Sequence, residues 1–355
     1  IIQIQSSANW ESTSLANVGS TLIIDDMGFR SQKYTLSKTV VATPGALSAL
    51  LSTAELNTIT HLTVTGNIDA RDFKTMRDLM PVLANVDISG ATVMAYSGTE
   101  GTVNTVDFVY PANTIPRNGM LGKTTLKGFQ LPLGITAIGR SAFNRCDKLT
   151  SITIPPTVTV IDTMAFRSCK ALTDIVIPSS VTKINQSAFL LSGLKTISLA
   201  EGLEVIGNYA FQSCDSLQFL SIPSTVKSIG YCAITFVNSL QGISVPTSNQ
   251  HYAAINGVLY DKSMQRLIAY PPLRSMHYDI PHGVTVIDTA AFEGNWRLRS
   301  VVIPATVTEI APEAFYMCNM LSAIDIPASV ADIGEFAFYN CQGLSAVFVN
   351  TLTPL

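Results

Sequence analysis

The sequence has little charge and no long apolar run. Only 13% of its 355 residues are Asp, Glu, Lys or Arg, the formal net charge is −3, and Lys and Arg never cluster. Nucleic acids and anionic membrane surfaces are recognised through clustered cations, so we expect neither as a partner. The apolar runs are too short for a transmembrane segment. Residues 1–10 (IIQIQSSANW) lack a signal-peptide pattern, as a mature form whose export signal has been removed also would.

The motifs of common enzymes and cofactor sites are also missing. None of the four histidines lies in an H-E-x-x-H motif or near a G-x-S-x-G serine, and no glycine-rich phosphate loop precedes a helix. The six cysteines form no C-x-x-C pair of the kind that binds zinc. We therefore predict a non-enzymatic protein with no cofactor and no metal ion.

Polar residues on neighbouring predicted strands offer one alternative. Three strands carry polar pairs on the same face: His61 with Thr63, Asn85 with Asp87, and Thr105 with Asp107. Together these oxygen and nitrogen atoms could coordinate a hard cation, but we favour a solvated polar face. His277 and Asp279 share a face in the same way, and we interpret them likewise.

What the sequence does contain is an internal repeat of 22 or 23 residues. The dipeptide Ala-Phe marks the copies, with one wider step of 81 residues: Phe143, Phe166, Phe189, Phe211, Phe292, Phe315 and Phe338. An L-x-x-Φ-x-Φ pattern follows each pair, where Φ is apolar, as in Leu149-Thr-Ser-Ile152-Thr-Ile154. It recurs from Leu172, Leu194, Leu217, Leu240, Leu298, Leu321 and Leu344. Repeats of this length are typical of solenoids.

Weaker copies extend the array towards the N-terminus. They start at Ile59, Leu83, Val103 and Leu126, with Met120 in one Phe position, and Tyr278-Asp-Ile280 adds a strand inside the wide step. We count thirteen strand units from Ile59 to Val349. One such strand cannot bury its apolar face alone, whereas parallel neighbours complete a core. The pattern predicts an α/β, β-rich solenoid with one long parallel sheet and short helical or 3-10 turns on its outer side.

A cysteine occupies a fixed position in the repeat. Cys146, Cys169, Cys214, Cys318 and Cys341 lie three residues before a strand leucine, while Cys232 occupies another position. We interpret them as a ladder of small buried thiols, because free cysteine is among the most buried residues. Disulfides are geometrically conceivable between the adjacent coils of Cys146/Cys169 and of Cys318/Cys341.

The N-terminal residues depart from the repeat. Residues 1–30 have no clear pattern, and we expect part of them to be disordered. Residues 31–58 are predicted to cap the array with a helix that starts at Thr43-Pro44 and continues through GALSALLSTAEL. A second helix is predicted at Asp69–Met80.

Two further features interrupt or end the solenoid of residues 59–355. Residues 256–270 are predicted to insert a β-hairpin, which we interpret as a structural decoration, with a binding protrusion as the alternative. No amphipathic cap follows the last strand at Val347 and Val349, so we expect either that further residues follow in the full protein or that the open edge pairs with another chain segment.

The pattern I-P-x-x-V-T-x-I-x-x-x-A-F-x-x-C-x-x-L resembles the BspA-type leucine-rich repeat of bacterial surface proteins, which is also called the Treponema pallidum-type leucine-rich repeat. The resemblance covers about residues 59–350. It implies a right-handed coil, an extracellular or cell-surface location, and adhesion to a host or matrix protein. The alternatives are a surface accessory protein that binds glycans or peptides, and a structural spacer that displays another domain.

The outward side chains of the strands are the surface left for binding. Exposed aromatic residues are the usual anchors of an interface, although local packing would also account for them here. We predict a ligand-binding face formed by Ser151, Thr153, Asp174, Val176, Thr196, Ser198, Phe219, Ser221, Ser300, Asp325 and Phe348 on the strands and by Trp296 in a turn. Its expected ligand is a protein or a glycan.

Overall fold

The computed structural model describes residues 36–103 and 107–349, together with the two strands of residues 20–25 and 28–33. Within these residues the chain is a β-rich solenoid of about 13 turns with three short helices. The predicted fold class is therefore confirmed, although residues 107–349 carry hydrogen-bonded turns and a second sheet where short helical or 3-10 turns were expected. Each regular coil gives one strand to a first parallel sheet and a shorter strand to a second parallel sheet.

The N-terminal part contains all three helices of the described residues. Its elements are β1 (Ser20–Asp25), β2 (Gly28–Lys33), β3 (Ser37–Ala42), α1 (Leu47–Leu50), α2 (Thr53–Thr58), β4 (His61–Ile68), α3 (Ala70–Asp78), β5 (Asn85–Asp87), β6 (Ala91–Val93), β7 (Tyr96–Gly98), β8 (Phe108–Tyr110) and β9 (Thr114–Ile115). Strands β3, β4 and β5 pair in parallel. The first sheet thus begins one strand earlier than predicted, inside the segment 31–58 assigned to the cap.

One N-terminal prediction needs correction. The predicted cap helix is two helices, because Leu51 adopts an extended backbone and Ser52 starts α2 by accepting a hydrogen bond from the N–H of Glu55. Residues 20–25 and 28–33 form β1 and β2, which pair antiparallel, and the expectation of partial disorder in residues 1–30 falls on residues 1–19, which lie outside the described residues. The helix predicted at Asp69–Met80 is confirmed as α3, and Asp69 is its N-cap.

The strand predicted from Val103 to Phe108 is wrong. Strand β5 pairs directly with β10 (Gly128–Gln130), so no other strand lies between them in the first sheet. The chain instead makes a side excursion in which β7 and β8 pair antiparallel. The spacing of Val103, Val106 and Phe108 imitates the repeat, but Phe108 packs against Tyr110 in this excursion, with ring centroids 4.8 Å apart.

Along each regular coil the chain forms first a strand of the first sheet and then a short strand of the second sheet. Their further strands are β11 (Ala137–Ile138), β12 (Ser151–Ile152), β13 (Val160–Ile161), β14 (Asp174–Ile177), β15 (Lys183–Ile184), β16 (Thr196–Leu199), β17 (Val205–Ile206), β18 (Phe219–Ser221), β19 (Ser228–Ile229) and β20 (Gly242–Ser244). Outside the inserted segment described below, the even-numbered strands from β10 onwards lie side by side as the first sheet, with parallel hydrogen-bonded pairs such as β10–β12, β14–β16 and β18–β20. The odd-numbered strands from β9 to β19 form the second sheet, paired in parallel throughout.

An inserted segment interrupts this order. The remaining strands are β21 (Tyr252–Ile255), β22 (Val258–Asp261), β23 (Arg266–Ala269), β24 (His277–Asp279), β25 (Val286–Ile287), β26 (Ser300–Val302), β27 (Glu309–Ile310), β28 (Ala323–Ile326), β29 (Asp332–Ile333) and β30 (Ala346–Val349). Strands β22 and β23 are the predicted hairpin, and β21 adds a third antiparallel strand. Strand β23 then pairs in parallel with β25, and the second sheet continues through β27 and β29.

The core reflects the same interruption. Four rings form one stacked column, with centroids 5.4 to 5.8 Å apart: Phe143, Phe166, Phe189 and Phe211. Phe292, Phe315 and Phe338 form a second column, with centroids 4.7 and 5.3 Å apart. Between the two columns no phenylalanine of the described residues continues the stack. Buried Ile234 occupies the Phe position of its coil, and the ring of buried Tyr270 lies 5.1 Å from that of Phe292. The buried apolar residues accordingly form two clusters that meet at the inserted hairpin.

The predicted thiol ladder is confirmed. The thiol of each cysteine in the repeated position donates a hydrogen bond of 3.0 to 3.2 Å to a carbonyl of the preceding coil, as from Cys169 to Phe143. All six cysteines are free, so neither Cys146 with Cys169 nor Cys318 with Cys341 forms a disulfide. Burial raises the pKa of Cys146 to about 12, and the group is therefore a neutral thiol at physiological pH.

Candidate functional site

The first sheet turns one side to solvent, which we call the strand face. Residues alternate along each strand, so that Asp174 and Val176 are exposed while Ile175 and Ile177 are buried. Ten of the predicted binding residues are exposed on this face: Ser151, Thr153, Asp174, Val176, Thr196, Ser198, Phe219, Ser221, Asp325 and Phe348. Ser300 is half-buried there. The sequence register therefore places these side chains on the correct side of the sheet.

A groove of about 700 Å³, the N-terminal groove, crosses strands β3, β4, β5, β10 and β12. Strand register sets its floor as two rows: Ser37, His61, Asn85, Gly128 and Ser151, and beside them Thr39, Thr63, Asp87, Gln130 and Thr153. All but Gly128 are polar, and a Cβ at Gly128 would come within 2.8 Å of the Asn85 amide oxygen. Exposed Leu133 adds apolar surface to the wall.

The group of polar residues considered as an alternative cation site does not assemble in this groove. The ring of His61 already has two partners, with Nδ1 3.0 Å from the Thr60 hydroxyl and Nε2 2.8 Å from the Asn85 amide nitrogen. Asp107 lies next to the side excursion, not in the first sheet, and Thr105 lies outside the described residues. His277 likewise hydrogen-bonds its strand neighbour Ser300, at 2.6 Å.

A smaller pocket of about 350 Å³ lies on the strand face beside Phe219. Phe219 is 61% exposed and lines this pocket together with Gly242, Arg274 and the Asn256-Gly257 turn between β21 and β22. We call it the Phe219 pocket. It combines an exposed aromatic ring, a cation and a protruding turn.

The inserted segment reaches the strand face through the Asn256-Gly257 turn, which joins β21 to β22. Asn256 and Gly257 have φ values of 51° and 79°, which the two-residue loop of a hairpin requires. The N–H of Ile243 in β20 donates to the carbonyl of Gly257 at 2.9 Å. A Cβ on Gly257 would lie only 3.1 Å from the Cα of Gly242, so the two glycines permit this close approach. The turn is thus fixed beside β20.

The strand face keeps a negative charge near its centre. The carboxylate of Asp174 accepts hydrogen bonds from the hydroxyls of Thr196 and Thr173. Both bonds hold the pKa of Asp174 below its usual range, and the bond from Thr196 has the larger effect. The exposed carboxylate is therefore ionised at any physiological pH.

Trp296 does not belong to the strand face. Its ring is 43% exposed and lines a separate pocket of about 440 Å³ with Phe236 and Met317, which belong to the turns. The guanidinium of Arg297 lies 5.7 Å from the ring centroid. The twelve predicted residues are therefore not one continuous site.

Sequence reasoning missed part of the groove and of the pocket. Ser37 and Thr39 lie in β3, whose alternation with buried Val40 and Ala42 is a strand signal that the cap assignment concealed. Arg274 follows the inserted hairpin, where the repeat gives no register. The alternating pattern of β3 could have predicted the positions of Ser37 and Thr39, whereas no sequence pattern predicts the position of Arg274.

Comparison with known families identifies the repeat. Residues 113–250 and 273–353, more than half of the chain, match the BspA type leucine rich repeat region in six copies. The chain belongs to the BspA-type leucine-rich repeat family. Strands β3 to β5 of the N-terminal groove lie outside the residues that match the BspA-type repeat.

Solved bacterial leucine-rich repeat proteins are similar to this BspA-type chain. One from Eubacterium ventriosum is 26% identical with a TM-score of 0.52, over 58% of this chain and 61% of that protein. The pneumococcal vaccine antigen PcpA is 21% identical with a TM-score of 0.58, over 70% of each chain. A leucine rich cell surface protein from Faecalibacterium prausnitzii is 21% identical with a TM-score of 0.53, over 97% of this chain and 99% of that one.

Three further findings limit what membership of the family implies for this chain. No protein of curated function matches the sequence. Of the helices that the structure describes, none has the length and apolar character needed to cross a membrane. The chain spans about 61% of the Eubacterium ventriosum protein that it matches.

Proposed function

We propose that this BspA-type protein is a non-enzymatic, extracellular or cell-surface binding protein of a bacterium, and that it adheres to a host or matrix protein through its strand face. The BspA-type repeat supports this location, as do similar structures described as a vaccine antigen and a cell surface protein. The Phe219 pocket is the observation that carries the choice of a protein ligand.

The chemistry of the Phe219 pocket suits a protein interface. Aromatic and arginine side chains dominate interface hot spots, and Phe219 and Arg274 line the same pocket. Val176 and Val302 add exposed apolar surface to the strand face, at 66% and 59% exposure. A protein partner would cover these apolar groups, and the carboxylate of Asp174 would favour a basic side chain opposite it.

A binding assay with matched variants tests the proposal. The purified chain is applied to immobilised extracellular-matrix proteins, and affinity is compared with that of Phe219→Ala. We expect at least a 10-fold loss, equivalent to about 1.4 kcal/mol, because an anchor residue is removed. Phe336→Ala is the control, since Phe336 is 58% exposed but lies in a turn outside the strand face. Equal affinity of both variants, or no binding to any matrix protein, contradicts the proposal.

The N-terminal groove favours a second candidate, a glycan or peptide ligand. Its floor of hydroxyl, amide and carboxylate groups can hydrogen-bond the hydroxyls of a sugar, whereas an apolar ligand would leave these groups without partners. On a glycan array, Asp87→Ala should abolish any binding that the wild-type chain shows. Asp332→Asn, at an exposed carboxylate in the second sheet, should leave it unchanged. Equal loss in both variants, or an array without hits, contradicts a glycan site.

A further inference from the structure

The turns around the Phe positions are held together by a backbone ladder that stops at the inserted hairpin. In regular coils three N–H groups donate to the next turn, as from Tyr209, Phe211 and Ser213 to Tyr231, Ala233 and Thr235, at 2.9 to 3.1 Å. Within the described residues, the corresponding N–H groups of Cys232, Ile234 and Phe236 have no backbone acceptor. The coil of the inserted hairpin has no equivalent turn to receive them.

The turn of residues 231–236 meets the turn of residues 290–294 across this gap, and we call the contact the seam. A Cβ at Gly294 would lie 2.5 Å from the ring of Phe236, so the two turns touch directly. Side chains replace the missing backbone bonds at the seam. The thiol of Cys232 donates to the carboxylate of Glu293, at 3.4 Å and across 61 residues of sequence.

Three potential metal ligands converge at the seam. The Sγ of Cys232 and one carboxylate oxygen each of Glu293 and Glu313 lie within 4.8 Å of one another. Cys232 and Glu293 are only 8% and 9% exposed. The hydroxyl of Tyr231 donates to the carboxylate of Glu313 and fixes its position. These ligands come from three different coils.

No positively charged side chain forms an ion pair with this cluster in the part of the protein that the structure describes. Buried Cys232 and Glu293 and the carboxylate of Glu313 instead face one another at close range. The buried carboxylate of Glu293 accepts hydrogen bonds from the thiol of Cys232, a weak donor, and from the hydroxyl of Thr235, but no cationic side chain of the described residues faces it. A bound cation would compensate this buried carboxylate.

The donor set selects the class of cation. A thiolate with two carboxylates suits zinc, whereas magnesium and calcium prefer oxygen alone. Zinc bonds of about 2.3 Å to sulfur and about 2.0 Å to oxygen would need only a modest contraction of the cluster. Binding would release the thiol proton, so the site would strengthen as pH rises.

We propose that Cys232, Glu293 and Glu313 bind a divalent zinc-like ion that clamps the seam and joins the two halves of the solenoid. The ion would link the coil before the inserted hairpin to the two coils after it. It would thereby replace the cross-coil bonds that the backbone ladder lacks there.

Zinc binding to the full, chelator-treated chain tests this site. Calorimetry and metal analysis should give one zinc ion per chain, and zinc should raise the thermal unfolding temperature. Cys232→Ser and Glu293→Gln should each weaken binding at least 10-fold. Cys341→Ser is the control, because this half-buried thiol bonds a backbone carbonyl away from the seam and should leave zinc binding unchanged. Binding that all three variants retain, or no binding by the wild type, overturns the proposal.

A spectroscopic measurement covers the case in which the seam variants fail to fold. Cobalt(II) replaces zinc in the wild-type chain, and a thiolate ligand then gives a charge-transfer absorption. We expect this band to appear at one equivalent of cobalt and to disappear when zinc is added. A cobalt complex without the thiolate band would show that Cys232 is not a ligand and would overturn the proposal.

Discussion

The regular coils and the places where the repeat breaks bury different polar groups. In the regular coils the buried polar side chains are thiols, hydroxyls and amides, and the backbone ladder joins each turn to the next. The buried carboxyl and amino groups of the described residues lie in the N-terminal part or at the seam: Asp69, Asp72, Lys123 and Glu293. Strict repetition lets each coil satisfy its neighbour, whereas a break leaves groups that need an ionisable or external partner.

One position of the repeat illustrates this difference. Cys146 lies three residues after the Phe position, and its thiol satisfies one carbonyl of the preceding coil. In the same position, Lys123 donates from its ammonium group to two carbonyls at the C-terminal end of α3. Asn295 holds this position in the first Ala-Phe turn after the inserted hairpin and donates to the carbonyl of Tyr270 at 3.0 Å. A helix end presents several unpaired carbonyls, so an amino group with several donor hydrogens satisfies more of them than a thiol can.

The largest expected effect contrasts a stacked ring with its counterpart at the seam. Phe166→Ala should lower the free energy of unfolding by about 3 to 5 kcal/mol, since Phe166 is fully buried between two rings. Ile234→Ala should cost less, because Ile234 has no stacked ring on its far side. Urea unfolding of both variants measures the difference, with Phe336→Ala as an exposed control near zero. A larger loss for Ile234→Ala would break the comparison.

The next effect is a pH dependence at Lys123. Burial lowers the pKa of Lys123 from 10.5 to about 8, so its charged form is disfavoured in the folded chain. Below pH 8 this lysine is charged in both states and reduces stability. Between pH 8 and 10.5 the unfolded chain binds more protons at this group, and its contribution to stability therefore rises with pH.

Comparison with Lys123→Met isolates that contribution. The unfolding free energy of the wild type minus that of the variant should increase by about 3 kcal/mol between pH 7 and 10.5. Ionisation of tyrosines and cysteines weakens both proteins at high pH and cancels in this difference. Urea titrations at several pH values measure it. A difference that stays constant or falls with pH contradicts a buried, charge-penalised Lys123.

The smallest effect concerns thiol reactivity and leaves stability untouched. Burial raises the pKa of Cys146 and of Cys214 to about 12, whereas hydrogen bonding with Cys318 lowers the pKa of half-exposed Cys341. Iodoacetamide should therefore modify Cys341 first in the native chain, and the buried thiols only in urea. Mass spectrometry of timed samples gives the order. Equal labelling of Cys146 and Cys341 without urea would show that the coils open freely.

Much of this fold is readable from the repeat because burial imposes it. Apolar residues two apart must face one core, and this requirement places strands such as β14 and β16 and leaves Asp174 and Val176 outside. The same reasoning fails at Val103–Phe108, where apolar spacing alone cannot distinguish a sheet strand from a side excursion. It also missed the helix break at Ser52, although a serine three residues before Glu55 is a helix-start signal.

The candidate sites were harder to predict for a physical reason. Exposure of strand-face residues such as Phe219 follows from alternation, but the Phe219 pocket depends on where the inserted hairpin ends. Cys232 and Glu293 meet only because the inserted coil lacks a turn, and no periodicity in the sequence reports which turns then touch. Long-range contacts across an insertion need coordinates.

Residue-resolved hydrogen exchange of the metal-free chain tests most directly whether the ladder joins the turns and stops at the seam. The amides of Phe166 and Phe189 donate to the next coil and should exchange slowly. The amides of Cys232, Ile234 and Phe236 should exchange much faster, because no backbone acceptor faces them. Equal protection of both groups would contradict an interrupted ladder and, with it, the division of the solenoid into two halves.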